Sequence, residues 1–138
     1  IKVRLDHPIT HCMELAEQLK SAFNLLECEI APSDPTDINS TYGLAQSGAK
    51  ILERYLKSKQ PKTLAFGTGR SLKACIEELP NMDCEQHKLV SINTGKPVFG
   101  IAAGPEKVTA LLSALKGKLI NSLITNEYTA EQILKRIS

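Results

Sequence analysis

The sequence predicts an α/β fold in which helices cover both faces of an open, mostly parallel sheet. Apolar runs of strand length alternate with stretches whose apolar residues recur at intervals of three and four, and turn residues separate the two. Strands that alternate with helices in this way favour parallel pairing through crossover connections. With 138 residues, 42% of them hydrophobic, the chain can bury a core, and we expect one domain over residues 1–138.

The first half of the chain opens with a strand and an amphipathic helix. Charged and apolar residues alternate over Lys2–Asp6, which predicts the strand, and Pro8 starts a helix that runs to Phe23. Leu25–Ala31 is the next predicted strand. The following helix is predicted from apolar residues at helical spacing: Ile38, Tyr42, Ala45, Ala49, Leu52 and Leu56.

The second half continues the alternation of strands and helices. One helix is expected over Leu72–Leu79, where a proline stops it, and another begins at Gly104-Pro105-Glu106 and ends at Gly117. A last helix follows a polar break at Asn126-Glu127. The strands predicted between these helices are Thr63–Phe66, His87–Ser91, Val98–Ala103 and Leu119–Thr125.

Composition argues against two classes of partner. A formal charge of +2, from 17 basic and 15 acidic side chains, is too small for a phosphate-backbone footprint, so this segment is not expected to bind nucleic acid itself. No apolar run approaches the roughly 20 residues that span a bilayer, and no signal peptide is evident, so we expect a cytoplasmic protein without membrane contact. Because the chain opens on Ile1 rather than methionine, we expect it to be a piece of a longer protein.

Cysteine and histidine residues do not form a strong metal or redox motif. His7 and His11 lie four residues apart with Cys12 adjacent, but no strong carboxylate or cysteine partner is local, so a metal site is the weaker interpretation. His87 is interpreted as an ordinary residue of an edge strand. We interpret the cysteines, which lack a Cys-x-x-Cys pair, as buried reduced thiols: Cys12, Cys28, Cys75 and Cys84.

A glycine-rich turn between a strand and a helix is the first candidate site. Its residues are Gly67, Thr68, Gly69, Arg70 and Ser71. Glycines allow close backbone approach, hydroxyls can donate hydrogen bonds, and a guanidinium at the positive end of a helix favours an anion, most plausibly a phosphate. The alternative is a turn that only reverses the chain.

Two further turns follow strands and are expected at the same edge of the parallel sheet. Gly104 precedes Lys107, a cation in the first turn of a helix, where it opposes the helix dipole. Lys107 is therefore either a solvated surface charge or a second anion contact. Thr125, Asn126 and Glu127 form a secondary candidate, for which a helix N-cap is the structural alternative. No catalytic motif, metal site or dinucleotide fingerprint is found.

Four stretches stand in order along almost the whole chain: Val3–Pro8, Phe66–Leu72, Ile101–Val108 and Leu115–Ala130. Together they resemble the sugar-binding domain of the SorC family of bacterial transcriptional regulators. The resemblance implies a fold related to that of sugar-phosphate isomerases and deaminases, and a homo-oligomeric regulator that is not an enzyme. It also implies that a phosphorylated sugar effector binds here, without a cofactor, while operator DNA is bound by an N-terminal helix-turn-helix absent from this chain.

The resemblance also assigns residues and shows two departures. The Gly67–Ser71 turn would hold the phosphate, and Lys107 would hold charge on the effector. Asn126 stands where the family usually has an aspartate, so a role that needs negative charge there is in doubt. The family's domain is longer, and a segment near residues 91–96 is expected to be missing from this chain.

Two other functions remain open on the residues alone. One is a small enzyme that acts on a sugar phosphate, for which Glu127 would have to be the base. The other is an α/β domain that serves assembly only. An effector module without turnover is preferred, because no acid and base pair is placed within the three turns.

Overall fold

The structure is a computed structural model that describes residues 8–37, 40, 42–60, 63–65, 69–82, 88–90 and 98–138. The helices are α1 (Pro8–Phe23), α2 (Tyr42–Leu56), α3 (Arg70–Glu77), α4 (Val108–Lys116) and α5 (Glu127–Ile137). A 3-10 turn, Pro105–Lys107, precedes α4. The strands are β1 (Glu27–Ala31), β2 (Thr63–Ala65), β3 (Lys88–Val90), β4 (Phe99–Ile101) and β5 (Ser122–Asn126).

A three-stranded parallel sheet forms the centre of the fold, in the order β1-β5-β4. All five residues of β5 are buried, as expected for a middle strand covered on both faces. The register places Glu27 of β1 and Phe99 of β4 opposite Ser122, and Ala31 opposite Asn126. The carboxyl ends of β1 and β5 therefore lie at the same edge of the sheet.

Alternate residues of β5 face two different apolar cores. Leu123 belongs to the larger core, which α1, α4 and α5 close with residues such as Leu19, Leu111 and Ile133. Ile124 points to the other face, where it packs with residues of α2 and β4. Helices on both faces of a parallel sheet confirm the predicted α/β class.

A second, smaller parallel ladder lies among the described residues. β2 and β3 pair in parallel with each other, and no ladder among the described residues joins them to the β1-β5-β4 sheet. The β2–β3 pair has only three residues in each strand. Some sequence predictions lie outside the described residues: the strand at Lys2–Asp6, the helix residue Ile38, and Phe66, Cys84 and His87.

The strand predicted over Leu119–Thr125 is wrong at its start, because the chain leaves α4 through a helix-capping motif. The amide of Leu119 donates to the Ala114 carbonyl over 2.9 Å, and the amide of Lys118 donates to the Leu115 carbonyl over 3.2 Å. Lys118, rather than Gly117, has the left-handed conformation, with φ 56°. Leu119 is 72% exposed and belongs to this cap, so β5 begins only at Ser122.

Helix α3 is held against α2 by a close contact between a glycine and a thiol. A Cβ at Gly48 would lie 2.3 Å from Cys75 Sγ, so only glycine fits at this position. Cys75 is 1% exposed, and its thiol lies 3.8 Å from the Leu44 carbonyl. This contact positions α3, whose first residue is Arg70.

The described cysteines are free thiols, as predicted, although Cys28 is only half-buried. Burial raises the pKa of Cys12 to about 11 and that of Cys28 to about 12. Both thiols therefore stay protonated and unreactive at neutral pH. Among the described residues no helix is long and apolar enough to cross a bilayer.

Candidate functional site

The carboxyl edge of the three-stranded sheet gathers the ends of β1, β4 and β5. Ser33 follows β1, Gly104 follows β4, and Glu127 begins α5 directly after β5. Open parallel sheets bind ligands at this edge, where turns lead into helix N-termini. Two of the three predicted turns lie here.

The turn at the start of α5 is a completed helix cap. Asn126, 3% exposed, accepts a hydrogen bond at Oδ1 from the amide of Thr129 over 3.0 Å. The amide of Tyr128 donates to Ser33 Oγ over 2.9 Å. Side chains therefore accept the hydrogen bonds of both amides. Asn126 is the N-cap of α5, which is the structural alternative given for this turn. An amide oxygen performs this role without a charge.

The Gly104 turn is bonded to the same cap. Gly104 is buried with φ 115° and ψ 160°, a conformation that is essentially restricted to glycine. Its amide donates to Thr129 Oγ1 over 2.8 Å, which joins the turns after β4 and β5. Lys107, at the end of the 3-10 turn, is exposed, and among the described residues no carboxylate forms an ion pair with it.

The first turn is only partly described, since Gly67 and Thr68 lie outside the described residues. Gly69, the N-cap of α3, has φ 147° and ψ 158°, an extended positive-φ conformation like that of Gly104. The helix begins at Arg70, two residues earlier than predicted, with Arg70 exposed and Ser71 half-buried. No described side chain caps α3, in contrast to α5, so no such group pairs its first amides.

The expected convergence of the three turns is met for two of them. The Gly104 turn and the Asn126 cap are joined through Thr129. Neither Arg70 nor Ser71 makes a hydrogen bond to a described residue of those two turns. Of the predicted site residues, Gly69 is the N-cap of α3, and Arg70 and Ser71 are the first two residues of this helix, which packs against α2.

The carboxylate of Glu127 is turned towards His11 of α1. Its Oε2 lies 3.7 Å from His11 Nε2, and Glu131 Oε2 lies 2.9 Å from the same nitrogen. Cys12, the neighbour of His11, points into the core, so these two side chains do not share a face. Within the described residues, no group of three or more His, Cys, Asp or Glu residues could hold a metal ion; His7 lies outside them.

Thr125, the last of the secondary candidates, has no exposed surface. Its hydroxyl oxygen has no hydrogen-bond partner among the described residues. Because it sits one residue before the Asn126 cap, on a strand covered on both faces, it faces the interior of the molecule. This geometry gives it no direct route to a ligand.

Sequence reasoning missed Ser33 at this edge, and it assigned neither the Gly104 contact of Thr129 nor the carboxylate neighbours of His11. Ser33 follows a strand and a proline, but only the register of β1 against β5 brings it to α5. Thr129 belongs to the stretch Thr125–Ala130 that resembles the family, and its partner Gly104 is 25 residues away in sequence. Glu127 and Glu131 of α5 become neighbours of His11 only when α1 packs on α5. Local sequence around His11 therefore does not indicate this cluster.

Comparison with known protein families decides the affiliation of the chain. A family model described as "Putative sugar-binding domain" matches residues 7–97 and 91–135. The chain belongs to this family. The matched ranges include the glycine turn at residues 67–71 and the Gly104 turn, so the resemblance found in the sequence is confirmed.

Curated relatives of this sugar-binding domain are transcriptional regulators. The erythritol catabolism regulatory protein EryD of Brucella abortus (strain 2308) is 28% identical over 108 residues, which is 78% of this chain and 34% of that protein. The transcriptional regulator LsrR of Enterobacter sp. (strain 638) is 35% identical over 71 residues, 48% of this chain and 22% of that protein. The chain spans about a third of the first relative and less of the second. Both relatives are regulators by name.

Solved structures agree on the fold. The full-length sorbitol operon regulator SorC from Klebsiella pneumoniae superposes with a TM-score of 0.73 at 17% identity, covering 97% of this chain and 84% of that chain. A transcriptional regulator from Streptococcus pneumoniae TIGR4 gives a TM-score of 0.67 at 12% identity, covering 92% of this chain and 98% of that chain. The predicted α/β fold of the sugar-binding domain is confirmed.

Proposed function

We propose that the chain is the effector-binding domain of a regulator and that it binds a phosphorylated sugar or polyol at the Gly67–Ser71 turn and Lys107. The observation that carries the proposal is the family match, which runs through both turns. Binding would bias the assembly or the operator affinity of the whole regulator by the difference in effector affinity between its states. Operator DNA would be bound by a part of the protein outside this chain, in the cytoplasm.

Helix α3 supplies the features that a phosphate needs. Gly69 has no side chain, so a ligand can approach its backbone closely. No described side chain caps the helix, and Arg70 is exposed at its first position. Unpaired amides at a helix N-terminus favour an anion, and a guanidinium can add charge-assisted hydrogen bonds. The same reasoning disfavours α5 as a phosphate site, because Ser33 and Asn126 occupy its amides.

Lys107 supplies the second proposed contact. It is exposed immediately before α4, where the helix dipole disfavours a cation. An anionic ligand at this edge would offset that unfavourable placement. The turn that carries Lys107 is rigidly held, since Gly104 bonds both Thr129 and, through its carbonyl, the Lys107 amide at 3.0 Å.

The class of sugar follows from the relatives only in outline. The names of two relatives, an erythritol catabolism regulator and a sorbitol operon regulator, refer to acyclic polyols. We therefore include phosphates of acyclic polyols with sugar phosphates in the ligand class. Contacts to individual hydroxyl groups are not assigned.

The extent of the domain is a further part of the proposal. The family model matches in two ranges that meet near residues 91–97, which supports a missing segment near 91–96. Such a segment would contribute further residues to the pocket and to the contacts of a homo-oligomer. Residues 1–138 would then be a shortened form of one sugar-binding domain.

Alanine substitution at the two cations tests the proposed phosphate contacts. We expect Arg70→Ala and Lys107→Ala each to weaken a phosphorylated sugar by about 10- to 100-fold, because a hydrogen bond to a charged group contributes about 1.5–3 kcal/mol. The same sugar without phosphate should be affected little. Isothermal titration with matched pairs of phosphorylated and unphosphorylated sugars measures both effects.

Exposed lysines on the same helices provide the controls. Lys73 lies three residues after Arg70 on α3, and Lys116 lies at the opposite end of α4 from Lys107. Lys73→Ala and Lys116→Ala should leave the affinity within about twofold, because neither lies at the proposed contact. Equal losses for phosphorylated and plain sugars, or equal losses in the control variants, would contradict the assignment.

A further inference from the structure

A histidine on α1 is surrounded by carboxylates from two helices at the carboxyl edge of the sheet. His11 Nε2 lies 2.9 Å from Glu131 Oε2 and 3.7 Å from Glu127 Oε2, both on α5. Its other ring nitrogen, Nδ1, lies 4.0 Å from Glu14 Oε2 on its own helix. Among the described residues, these are the charged groups that face the ring from the helices α1 and α5.

The place of this cluster connects it to the proposed effector edge. Glu127 is the first residue of α5, and the next two residues, Tyr128 and Thr129, carry the amides bonded by Ser33 and Asn126. Thr129 also accepts the hydrogen bond from Gly104. A side chain that holds the first turn of α5 against α1 therefore also holds Thr129, the residue that accepts the hydrogen bond of the Gly104 turn.

We propose that His11 is a positioning residue that, when protonated, bridges α1 to the first turn of α5 and so makes the order of the sheet edge depend on pH. An imidazolium can donate from Nε2 to Glu131 while its charge attracts Glu127 and Glu14. A neutral ring keeps at most the one hydrogen bond and leaves three carboxylates close together. The consequence for effector affinity rests on the proposed function, but the bridge itself does not.

The direction of the pH effect follows from the surroundings of the ring. The hydrogen bond to Glu131, opposed by desolvation and supported by the charge of Glu127, raises the pKa of His11 above 6.5. Because the folded pKa exceeds the unfolded one, the bridge contributes its full stability below about pH 6.5 and loses it as pH rises through the folded pKa. The side chain is 42% exposed, so salt should weaken the effect.

The titration of His11 tests the bridge without any effector. In an NMR titration of the full chain, with the signal assigned by its loss in His11→Gln, the midpoint should lie above 6.5 and should fall in Glu131→Gln. Glu14→Gln, which removes the more distant carboxylate on the same helix, is the matched control and should lower the midpoint less. A wild-type midpoint at or below 6.5, or one unchanged by Glu131→Gln, would overturn the proposal.

Amide hydrogen exchange at Tyr128 and Thr129 tests the positioning role. Relative to His11→Gln, the wild type should protect these amides severalfold more at about pH 6 than at about pH 8.5, on either side of the histidine titration. His11→Lys keeps a cation at both pH values, so its amide protection relative to His11→Gln should not change with pH. Equal protection in all three proteins at both values would show that His11 does not position α5. Since no sugar is present, failure of the proposed effector site leaves both results interpretable.

Discussion

Two buried threonines at the carboxyl edge of the sheet differ in one physical respect. Thr125 and Thr129 are both 0% exposed. Thr129 Oγ1 accepts a hydrogen bond from the Gly104 amide, whereas the Thr125 hydroxyl has no partner among the described residues. A buried polar group costs free energy unless it is hydrogen-bonded, so the two hydroxyls should have opposite effects on stability.

Valine at each position separates these effects at nearly constant volume. Thr129→Val leaves the buried Gly104 amide unsatisfied, so the free energy of unfolding should fall by about 1–3 kcal/mol. Thr125→Val removes a desolvated hydroxyl that has no partner, so stability should be unchanged or should rise by up to about 1 kcal/mol. Urea unfolding of both variants measures the difference, and a larger loss for Thr125→Val would contradict the described geometry.

The two threonines also show what could be predicted at the residue scale. Both belong to the stretch that resembles the family, and Thr125 was singled out as a candidate site residue. Thr129 bonds to Gly104 because the start of α5 lies next to the turn that follows β4. The parallel register of β4 and β5 brings these two segments together, and this register is not evident from the sequence. Residue type and spacing therefore indicate that both threonines lie at the carboxyl edge of the sheet, but not which hydroxyl makes the hydrogen bond that joins the two turns.

At the scale of elements, α3 depends on its close approach to α2. In a helix interior, Gly→Ala normally stabilises by about 0.5–1 kcal/mol, because alanine loses less backbone freedom on folding. At Gly48, however, the added Cβ would meet Cys75 Sγ at 2.3 Å. The helices must move apart, so Gly48→Ala should destabilise the chain by about 1–3 kcal/mol.

A double-mutant cycle isolates that contact. Cys75→Ala removes the thiol, so adding Gly48→Ala to it should cost much less than Gly48→Ala alone costs in the wild type. Because α3 carries Arg70, the single Gly48→Ala variant should also weaken a phosphorylated sugar. Additive losses in thermal unfolding would mean that the clash does not govern the packing of α3.

Elements with a strong helical period were predicted well, and elements whose ends depend on turns were not. The start at Pro8 and the end at Phe23 of α1 agree with the structure, because the apolar spacing and the proline both lie within the helix. The start of β5 was placed too early, because Leu119 and Ile120 look like strand residues but follow the cap at Lys118. A lysine in the left-handed conformation has no local sequence signal.

At the scale of the whole molecule, the parallel class followed from the alternation of segments, but the pairing of strands did not. β5, last in sequence, lies between β1 and β4, and this order needs long-range contacts that local patterns do not contain. The separate pairing of β2 with β3 was likewise not predicted. The family resemblance, in contrast, covered stretches at both ends of the chain and was confirmed by the family match.

The most direct test of the central claim is a thermal-shift panel on this chain. It compares phosphates of sugars and acyclic polyols, the same compounds without phosphate, and inorganic phosphate. A ligand at 100 times its dissociation constant should add about 2.7 kcal/mol to stability and raise the melting temperature clearly. The account predicts a rise with a phosphorylated compound and none with its unphosphorylated form. Equal rises for both forms, or no rise with any phosphorylated compound, would contradict it.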